Sequence, residues 1–280
     1  MSISLPTYTR REIPLLGRRH RVWAIVGTGL RREVRRLAAI FTIAVGTAIT
    51  TISSVVLVFF APLFLRGQSL DLSFFYNPAS NPAMLFFVTL MAAVVGGGLI
   101  ADDLDSMALT LYLSRPLSAA DYLTAKAAIL AILTALIAIL PLVLTPILAA
   151  LLGLFPWDIA LEAVGISILL GLLFTAFFTA LSLFLSSLTP RRAYAAAAVF
   201  AIVFGLLTTA SILSQPGSLN EPALLYLSPW DDFLAVARAA FGVSGGPIDW
   251  APALAILLGV TVLAALATWV RMRAVEVVSG

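Results

Sequence analysis

Long apolar blocks separated by short polar stretches organise this chain. Six blocks are long enough to cross a bilayer as helices, which takes about 20 residues. They run over 37–65, 82–101, 122–154, 161–188, 192–214 and 250–270. Asn81 and Pro82 supply a helix cap and a first helical residue for the second block. Pro190 ends the helix of the fourth block. The pattern predicts an all-α polytopic membrane protein with six transmembrane helices.

Two local sequences predict how these helices are shaped and packed. The third block is too long for one straight span, and Pro141 and Pro146 predict kinks within it, with neighbouring helices covering the freed carbonyls. The glycines at 96, 97 and 98 predict close contact between helices rather than a phosphate-binding loop.

Composition supports the membrane assignment and excludes several kinds of chemistry. The chain is 61% hydrophobic and 11% charged, with a mean hydropathy of +1.06. It has no cysteine and one histidine, His20, which excludes disulfides, cysteine nucleophiles and a zinc site built on cysteine or histidine. We also expect no other metal site and no catalytic residue on this chain. The central parts of the six blocks carry no charge, which disfavours a proton-driven transporter or an intramembrane protease. Nothing in the sequence indicates a nucleic-acid partner.

Basic residues predict the orientation in the membrane. With six spans, fifteen of the seventeen arginines and lysines fall on one side, and only Arg66 and Arg238 fall on the other. Cytoplasmic loops carry the excess of basic residues, so both termini are expected in the cytoplasm, with the protein in the cell inner membrane. The predicted domains are a cytoplasmic basic segment at 1–36, a six-span transmembrane domain at 37–271 and a cytoplasmic tail at 272–280.

The segment before the first block has a helical apolar stripe. It is formed by Val22, Trp23, Val26, Leu30, Val34 and Leu37, while arginines 31, 32, 35 and 36 occupy much of the opposite face. This predicts an amphipathic helix lying in the cytoplasmic interface of the membrane. Gly27 and Gly29 offer a point at which the helix breaks in two. The alternative is a basic tail that only sets topology.

The cytoplasmic loop at 102–121 has the pattern of a docking element. Its predicted helical stripe contains Leu104, Met107, Ala108, Leu111 and Tyr112, and Ser114-Arg115-Pro116 ends that helix. Ser118 and Asp121 then form a capping-box-like start for the third span. A short amphipathic helix suits a groove in a soluble partner, whereas a solvated connector is the alternative.

The longest outer loop, at 215–249, predicts two short helices before the last span. Asn220-Glu221-Pro222 starts the first, and Ser228, Pro229 and Asp231 start the second, which Gly242 ends. Trp230 and Phe233 belong to the apolar surface of the second helix. One interpretation is that these helices form a re-entrant or interfacial hairpin, packed on protein or in the outer leaflet. The alternative is a cap that only rigidifies the loop.

The sequence from Leu111 to Ser118, Leu-Tyr-Leu-Ser-Arg-Pro-Leu-Ser, resembles a turn found in one family of membrane proteins. With Tyr122, Leu123 and Lys126 after it, this stretch is similar to the corresponding turn in permease subunits of type-2 ATP-binding-cassette (ABC) exporters. The serine-rich end of the fourth block, from Leu181 to Thr189 with Arg191 and Arg192, is a second similarity. The layout of a basic N-terminal helix, six spans and outer helices also matches.

The resemblance implies a function in transport and a set of partners. It implies a second permease copy or a paralogue, two cytoplasmic ATP-binding subunits, and ATP with Mg bound on those subunits, with no cofactor on this chain. It also implies that the 102–116 loop is a coupling helix seated in the ATPase. The expected coupling interface is Asp103, Leu104, Met107, Ala108, Leu111, Tyr112, Arg115 and Pro116. The alternatives are a non-transporting membrane scaffold driven by a partner ATPase and a passive channel.

Overall fold

Six apolar helices dominate the structure, a computed structural model that describes residues 17–64, 71–107, 118–216, 218–219 and 221–278. The helices that can span a membrane are, in chain order, Leu37–Leu63, Pro82–Asp105, Ala119–Leu151, Trp157–Leu188, Arg192–Leu213 and Trp250–Ala274. They are called the first to sixth spans below. No strand occurs in the described part of the chain. The predicted all-α, six-span architecture is confirmed, with ends within a few residues of those expected.

A separate helix, Arg18–Glu33, precedes the first span and packs on the third. It runs unbroken through Gly27 and Gly29, so the glycines do not divide it. A side chain at Gly29 would collide with the side chain of Ile129 on the third span, and Val26 is fully buried. Glycine at this position therefore allows the helix to approach the span closely.

The second and fourth spans form the centre of the bundle. Buried residues make up 78% of the most apolar stretch of the second span and 67% of the corresponding stretch of the fourth. In the first, fifth and sixth spans, buried residues make up only 17% to 22% of that stretch. The third and fourth spans share the most extensive contact, where Gly171 faces Ile139. The three exposed spans surround this centre and present their apolar side chains outward.

The glycines in the second span allow close helix contact, as predicted. The span contains a π-helical turn at Ala92–Gly96. A side chain added at Gly96 would meet Ser182 of the fourth span, and one at Gly97 would lie 3.0 Å from the backbone nitrogen of Ala196 in the fifth. The third span is assigned as one α-helix, Ala119–Leu151, which contains Pro141 and Pro146, both buried.

Short helices close the bundle at the end opposite to the N-terminal helix. A 3-10 turn at Leu72–Phe75 and a single helical turn at Tyr76–Ala79 precede the second span. A 3-10 helix at Pro222–Leu227 and an α-helix at Pro229–Ala240, called the 229–240 helix below, precede the sixth span. Aromatic rings fill the spaces between these elements, with Phe75 and Phe155 4.8 Å apart and Phe174 and Phe233 4.5 Å apart.

Candidate functional site

The two described ends of the loop between the second and third spans have different geometries. The second span ends at Asp105, and Met107 has a left-handed backbone with φ 53°. The third span starts with the predicted capping box, in which the Asp121 N–H donates to Ser118 Oγ at 3.2 Å and the Ser118 N–H donates to Asp121 Oδ2 at 3.3 Å. Both helix ends are therefore defined by local sequence.

A buried ion pair joins these two helix ends. Lys126 Nζ lies 2.7 Å from Asp103 Oδ2, and the Tyr122 hydroxyl donates to the same oxygen at 2.7 Å. Asp103 is 4% exposed, Tyr122 2% and Lys126 8%. A buried charge is strongly unfavourable without a partner, so this contact fixes the end of the second span against the start of the third.

The neighbouring carboxylate, Asp102, contacts arginines at the end of the N-terminal helix and the start of the first span, instead of the third span. Arg36 Nη2 donates to Asp102 Oδ2 at 3.1 Å, and Arg32 lies 3.5 Å from the same oxygen. Arg36 also pairs with the buried Glu33 at 3.0 Å. Asp102 therefore ties the second span to the end of the N-terminal helix and the start of the first span.

Arg192, at the start of the fifth span, completes this arrangement. Its Nη1 lies 4.0 Å from Asp102 Oδ2, and its Nη2 donates to the backbone carbonyl of Val94. The residues Glu33, Arg36, Asp102, Asp103, Lys126 and Arg192 are called the charged cluster below. The cluster connects the N-terminal helix and four spans at one end of the bundle, called the basic end.

Two serines of the fourth span form hydrogen bonds to the backbone of the second span, next to the charged cluster. Ser186 Oγ accepts the backbone N–H groups of Ile100 and Ala101 at 3.1 and 3.0 Å and donates to the Gly97 carbonyl at 2.9 Å. Ser182 Oγ donates to the Ala92 carbonyl at 2.6 Å. These bonds satisfy backbone groups near the π-helical turn that would otherwise be unpaired within apolar surroundings.

A comparison with protein families gives a match that covers most of the chain. The family model described as ABC-2 family transporter protein matches residues 33–274. The chain belongs to this family. It is a membrane permease component of an ABC transporter, in a family that associates with ATP-binding subunits and is generally non-catalytic. A comparison with proteins of curated function finds no match.

The structure places Asp103 inside this ABC-2 permease rather than on its surface. The sequence pattern placed Asp103 on a docking surface, but its carboxylate is enclosed and paired with Lys126. The helix that carries it is the last turn of the second span, packed within the bundle, rather than a separate exposed helix. Asp103 therefore positions the helices and is not available on the surface.

The structure also corrects the continuous helical stripe predicted from Leu104. The helix stops at Asp105, so Leu104 and Met107 do not lie on one helical face. Leu104 packs partly against the core, whereas Met107 is 75% exposed. The other predicted coupling residues lie outside the described residues: Ala108, Leu111, Tyr112, Arg115 and Pro116.

At the opposite end, the start of the 229–240 helix matches the prediction. The Asp231 N–H donates to Ser228 Oγ at 3.3 Å, Pro229 occupies the first turn, and Gly242 follows the helix end with φ 71°. Trp230 stacks on Phe233, which is fully buried and also contacts Phe174 of the fourth span. Among the alternatives left open by the sequence, this geometry favours a helix packed on protein.

Sequence reasoning missed one buried acid in this helix. Asp232 is 1% exposed, and its Oδ1 has no hydrogen-bond partner in the described part of the protein. Burial, together with the neighbouring Asp231 carboxylate, raises the pKa of Asp232 to about 8. Burial also raises the pKa of Asp231, while Ser228 and Arg238 act to lower it. The adjacent acids at the helix start resemble ordinary capping residues, so no local pattern indicated this burial.

Sequence reasoning also missed the partners within the charged cluster. The sequence pattern places Asp102 and Asp103 at the start of the cytoplasmic docking loop, and Lys126 just after the turn that resembles the family's. A signal existed, because Lys126 lies one to two turns inside an apolar helix and requires a carboxylate within reach. The structure finds that carboxylate on the other side of the loop. Among the described residues, no group of acidic residues or histidine is arranged to hold a metal ion.

Proposed function

We propose that this chain is the permease subunit of an ABC exporter that couples ATP hydrolysis on separate subunits to substrate movement across the membrane. The assembly contains two permeases, as identical copies or as paralogues, and two cytoplasmic ATP-binding subunits. ATP and Mg bind to those subunits and not to this chain. The permease lies in the cell inner membrane with both termini in the cytoplasm. The direction of transport rests on the resemblance of the 111–118 turn to exporters.

The charged cluster is the observation that supports coupling. The loop at 108–117 is flanked on one side by Asp102 and Asp103 and on the other by the capping box and Lys126. A displacement of the loop by a partner acts on the second and third spans together, because Asp103 and Lys126 join them. Asp102 extends this connection to the N-terminal helix and the fifth span. Small shifts of packed helices are a common way to switch access in such assemblies.

The sequence supports a separate source of ATP hydrolysis. The 280 residues contain no Gly-x-x-x-x-Gly-Lys-Ser/Thr motif, so the usual phosphate-binding loop must come from another polypeptide or segment. The basic end supplies the loop on which such a subunit can act. The exposed apolar faces of the first and fifth spans leave room for a second permease beside this one.

A double substitution in the loop tests this proposal. Leu111→Asp with Tyr112→Asp places two carboxylates where we expect apolar anchors in the ATPase groove. Anchors of this kind typically contribute about 2 kcal/mol or more each to binding. We expect the variant to insert normally and to lose pull-down of the ATPase or stimulation of its activity. The measurements are co-purification of the ATPase, its turnover, and membrane insertion in parallel.

Leu219→Asp is the matched control, because Leu219 is exposed and belongs to the outer loop. It should leave co-purification and turnover unchanged. Wild-type recovery and stimulation of the ATPase by the double variant would show that the 108–117 loop is only a connector. Co-purification with full turnover but no movement of any substrate across the membrane would favour the scaffold function instead. ATP turnover by the rigorously purified single chain would contradict the need for a partner.

A further inference from the structure

An elongated cavity of about 510 Å³ lies between the third, fourth and sixth spans. Small side chains form most of its walls, including Ala127, Ala128, Ala131, Ala176, Ala180 and Ala265. Helix interfaces in membranes usually use small residues to bring backbones together. Here the same residues leave a space that the protein does not fill.

The shape of this cavity suits an extended hydrocarbon chain. On the third span its lining runs from Ala120 to Ala131, which corresponds to about 16 Å along a helix at 1.5 Å per residue. It therefore extends from the basic end of the bundle into the membrane-spanning part. Its walls are almost entirely apolar, and the Thr268 hydroxyl on the wall already donates to the Ala264 carbonyl.

The end of the cavity nearest the charged cluster has a different chemistry. Thr124 lines both this cavity and a second pocket of about 320 Å³, which Arg19 and Trp23 of the N-terminal helix also line. Asp121, also in that pocket, accepts hydrogen bonds from the Ser118 backbone and hydroxyl. Arg19 is exposed and is the basic group of this second pocket.

A second guanidinium lies near the same end of the cavity, on the sixth span. Trp269 lines the cavity, and the guanidinium of Arg273 stacks over its ring at 4.7 Å. Arg273 is one helical turn beyond Trp269 and exposed. Tryptophan and arginine near the end of a span are typical of the layer where lipid headgroups lie. Two exposed arginines on two sides of one apolar cavity complement a negatively charged headgroup.

We propose that this cavity is a binding site for an anionic phospholipid of the surrounding bilayer. One acyl chain lies along the alanine walls, and the phosphate and the charged headgroup contact Arg19 and Arg273. Basic pockets between spans recognise anionic lipids by this combination of apolar and charged contacts. The occupant is a resident lipid, so the inference does not depend on the direction of transport or on the transported substrate.

Lipid retention by the full-length chain, purified with its partner subunits, tests this site. The protein is reconstituted in equal amounts of phosphatidylglycerol and phosphatidylcholine with identical acyl chains, extracted, and examined by native mass spectrometry. Each arginine near the surface contributes about fivefold to the preference for the anionic lipid. We expect wild-type protein to retain phosphatidylglycerol preferentially, and the Arg19→Gln/Arg273→Gln variant to retain both lipids about equally.

Two bulky substitutions test the apolar part of the site. Ala128→Phe and Ala180→Phe fill the cavity and should lower retention of both lipids by about tenfold or more. Leu263→Phe adds a ring on the same span as Trp269 at an exposed position outside the cavity wall, and should retain lipid like the wild type. Arg271→Gln is the matched charge control, since Arg271 is exposed but is not the arginine stacked on Trp269.

Thr179 distinguishes an acyl chain from another apolar ligand. It lines the cavity, is 6% exposed, and its hydroxyl has no hydrogen-bond partner among the described residues. Thr179→Val keeps the shape and removes the hydroxyl, so an acyl chain should be retained equally or better. Reduced retention in this variant would indicate a ligand with a polar group at that depth and would overturn the acyl-chain assignment.

Two further results would overturn the proposal. One is equal retention of the two phospholipids by the wild type. The other is wild-type retention by Ala128→Phe. Because the arginine and threonine variants change no core volume, the test stands even if one bulky variant does not fold.

Discussion

Lys126 Nζ contacts Asp103 Oδ2 at 2.7 Å, although the two residues lie on different spans and on opposite sides of the 108–117 loop. The contact brings the two ends of the loop together within the buried part of the bundle. Tyr122 donates to the same oxygen, so the carboxylate has two partners from the third span. A partner protein that moves the loop therefore moves two spans together.

Removing one member of this pair should destabilise the protein strongly. Lys126→Met leaves the Asp103 carboxylate buried without a cation, and we expect the free energy of unfolding to fall by about 3 kcal/mol. Thermal unfolding in detergent, followed by circular dichroism, measures the loss. Asp105→Asn is the control, because Asp105 is exposed and its change should stay within about 0.5 kcal/mol.

The double variant Asp103→Asn/Lys126→Met separates the contribution of the ion pair to stability from the contributions of the two individual side chains. Removing both charges leaves no uncompensated buried ion, so it should be more stable than Lys126→Met alone. If Lys126→Met unfolds at the wild-type temperature, the ion pair does not hold the second and third spans together.

Replacing each of two adjacent serines on the fourth span by alanine should lower the unfolding free energy by different amounts. Ser186→Ala removes the acceptor for the Ile100 and Ala101 N–H groups, and should lower the unfolding free energy by about 2 kcal/mol. Ser187→Ala is the matched control, because Ser187 is equally buried but, among the described residues, its hydroxyl bonds only the Phe184 carbonyl of its own helix. Equal effects of the two substitutions would show that the contact with the second span is unimportant for stability.

Asp232 should make stability depend on pH. Its pKa is about 8 in the folded protein, above the ordinary value of 3.8, so the folded state binds the proton more tightly than the unfolded state. The resulting stabilisation is fully present below the ordinary pKa and is lost progressively as the pH rises towards and through about 8. We therefore expect a lower unfolding temperature at pH 9 than at pH 6.

Asp232→Asn keeps the shape of the side chain and removes the titration, so this part of the pH dependence should disappear. Glu221→Gln is the control, because Glu221 is exposed and directly precedes the neighbouring 3-10 helix. Unfolding temperatures at five pH values from about 5 to about 9, a range that spans the folded-state pKa of about 8, measure the slope. An unchanged slope in Asp232→Asn would assign the pH dependence to another group.

Reporter fusions test the orientation in the membrane. The distribution of arginine and lysine predicts that the basic end lies in the cytoplasm. Fusions at Gly67 and Ser218 should therefore report the outer side, and a fusion at Gly280 should report the cytoplasm. Alkaline phosphatase activity at Gly280, or a cytoplasmic fluorescent signal at Ser218, would contradict this topology.

The local sequence alone determined the helices and several of their ends. A span depends on the length of an apolar block, and a cap depends on residues within one turn of each other, so Asn81-Pro82, Ser118 with Asp121, and Ser228-Pro229 could be recognised directly. The six-span fold and the ABC-2 family followed from such local features. The close packing at Gly96 and Gly97 was also predictable, because few other roles fit glycines within a span.

Only the tertiary structure decided which charges are buried and what they contact. Asp103 and Lys126 are separated by a loop, and Asp102 reaches arginines from the N-terminal helix and the fifth span, so no local pattern could pair them. The same is true of Asp232, which looks like a capping acid until the spans surround its helix. Burial and pairing depend on how distant segments pack, and local sequence preferences carry little information about that.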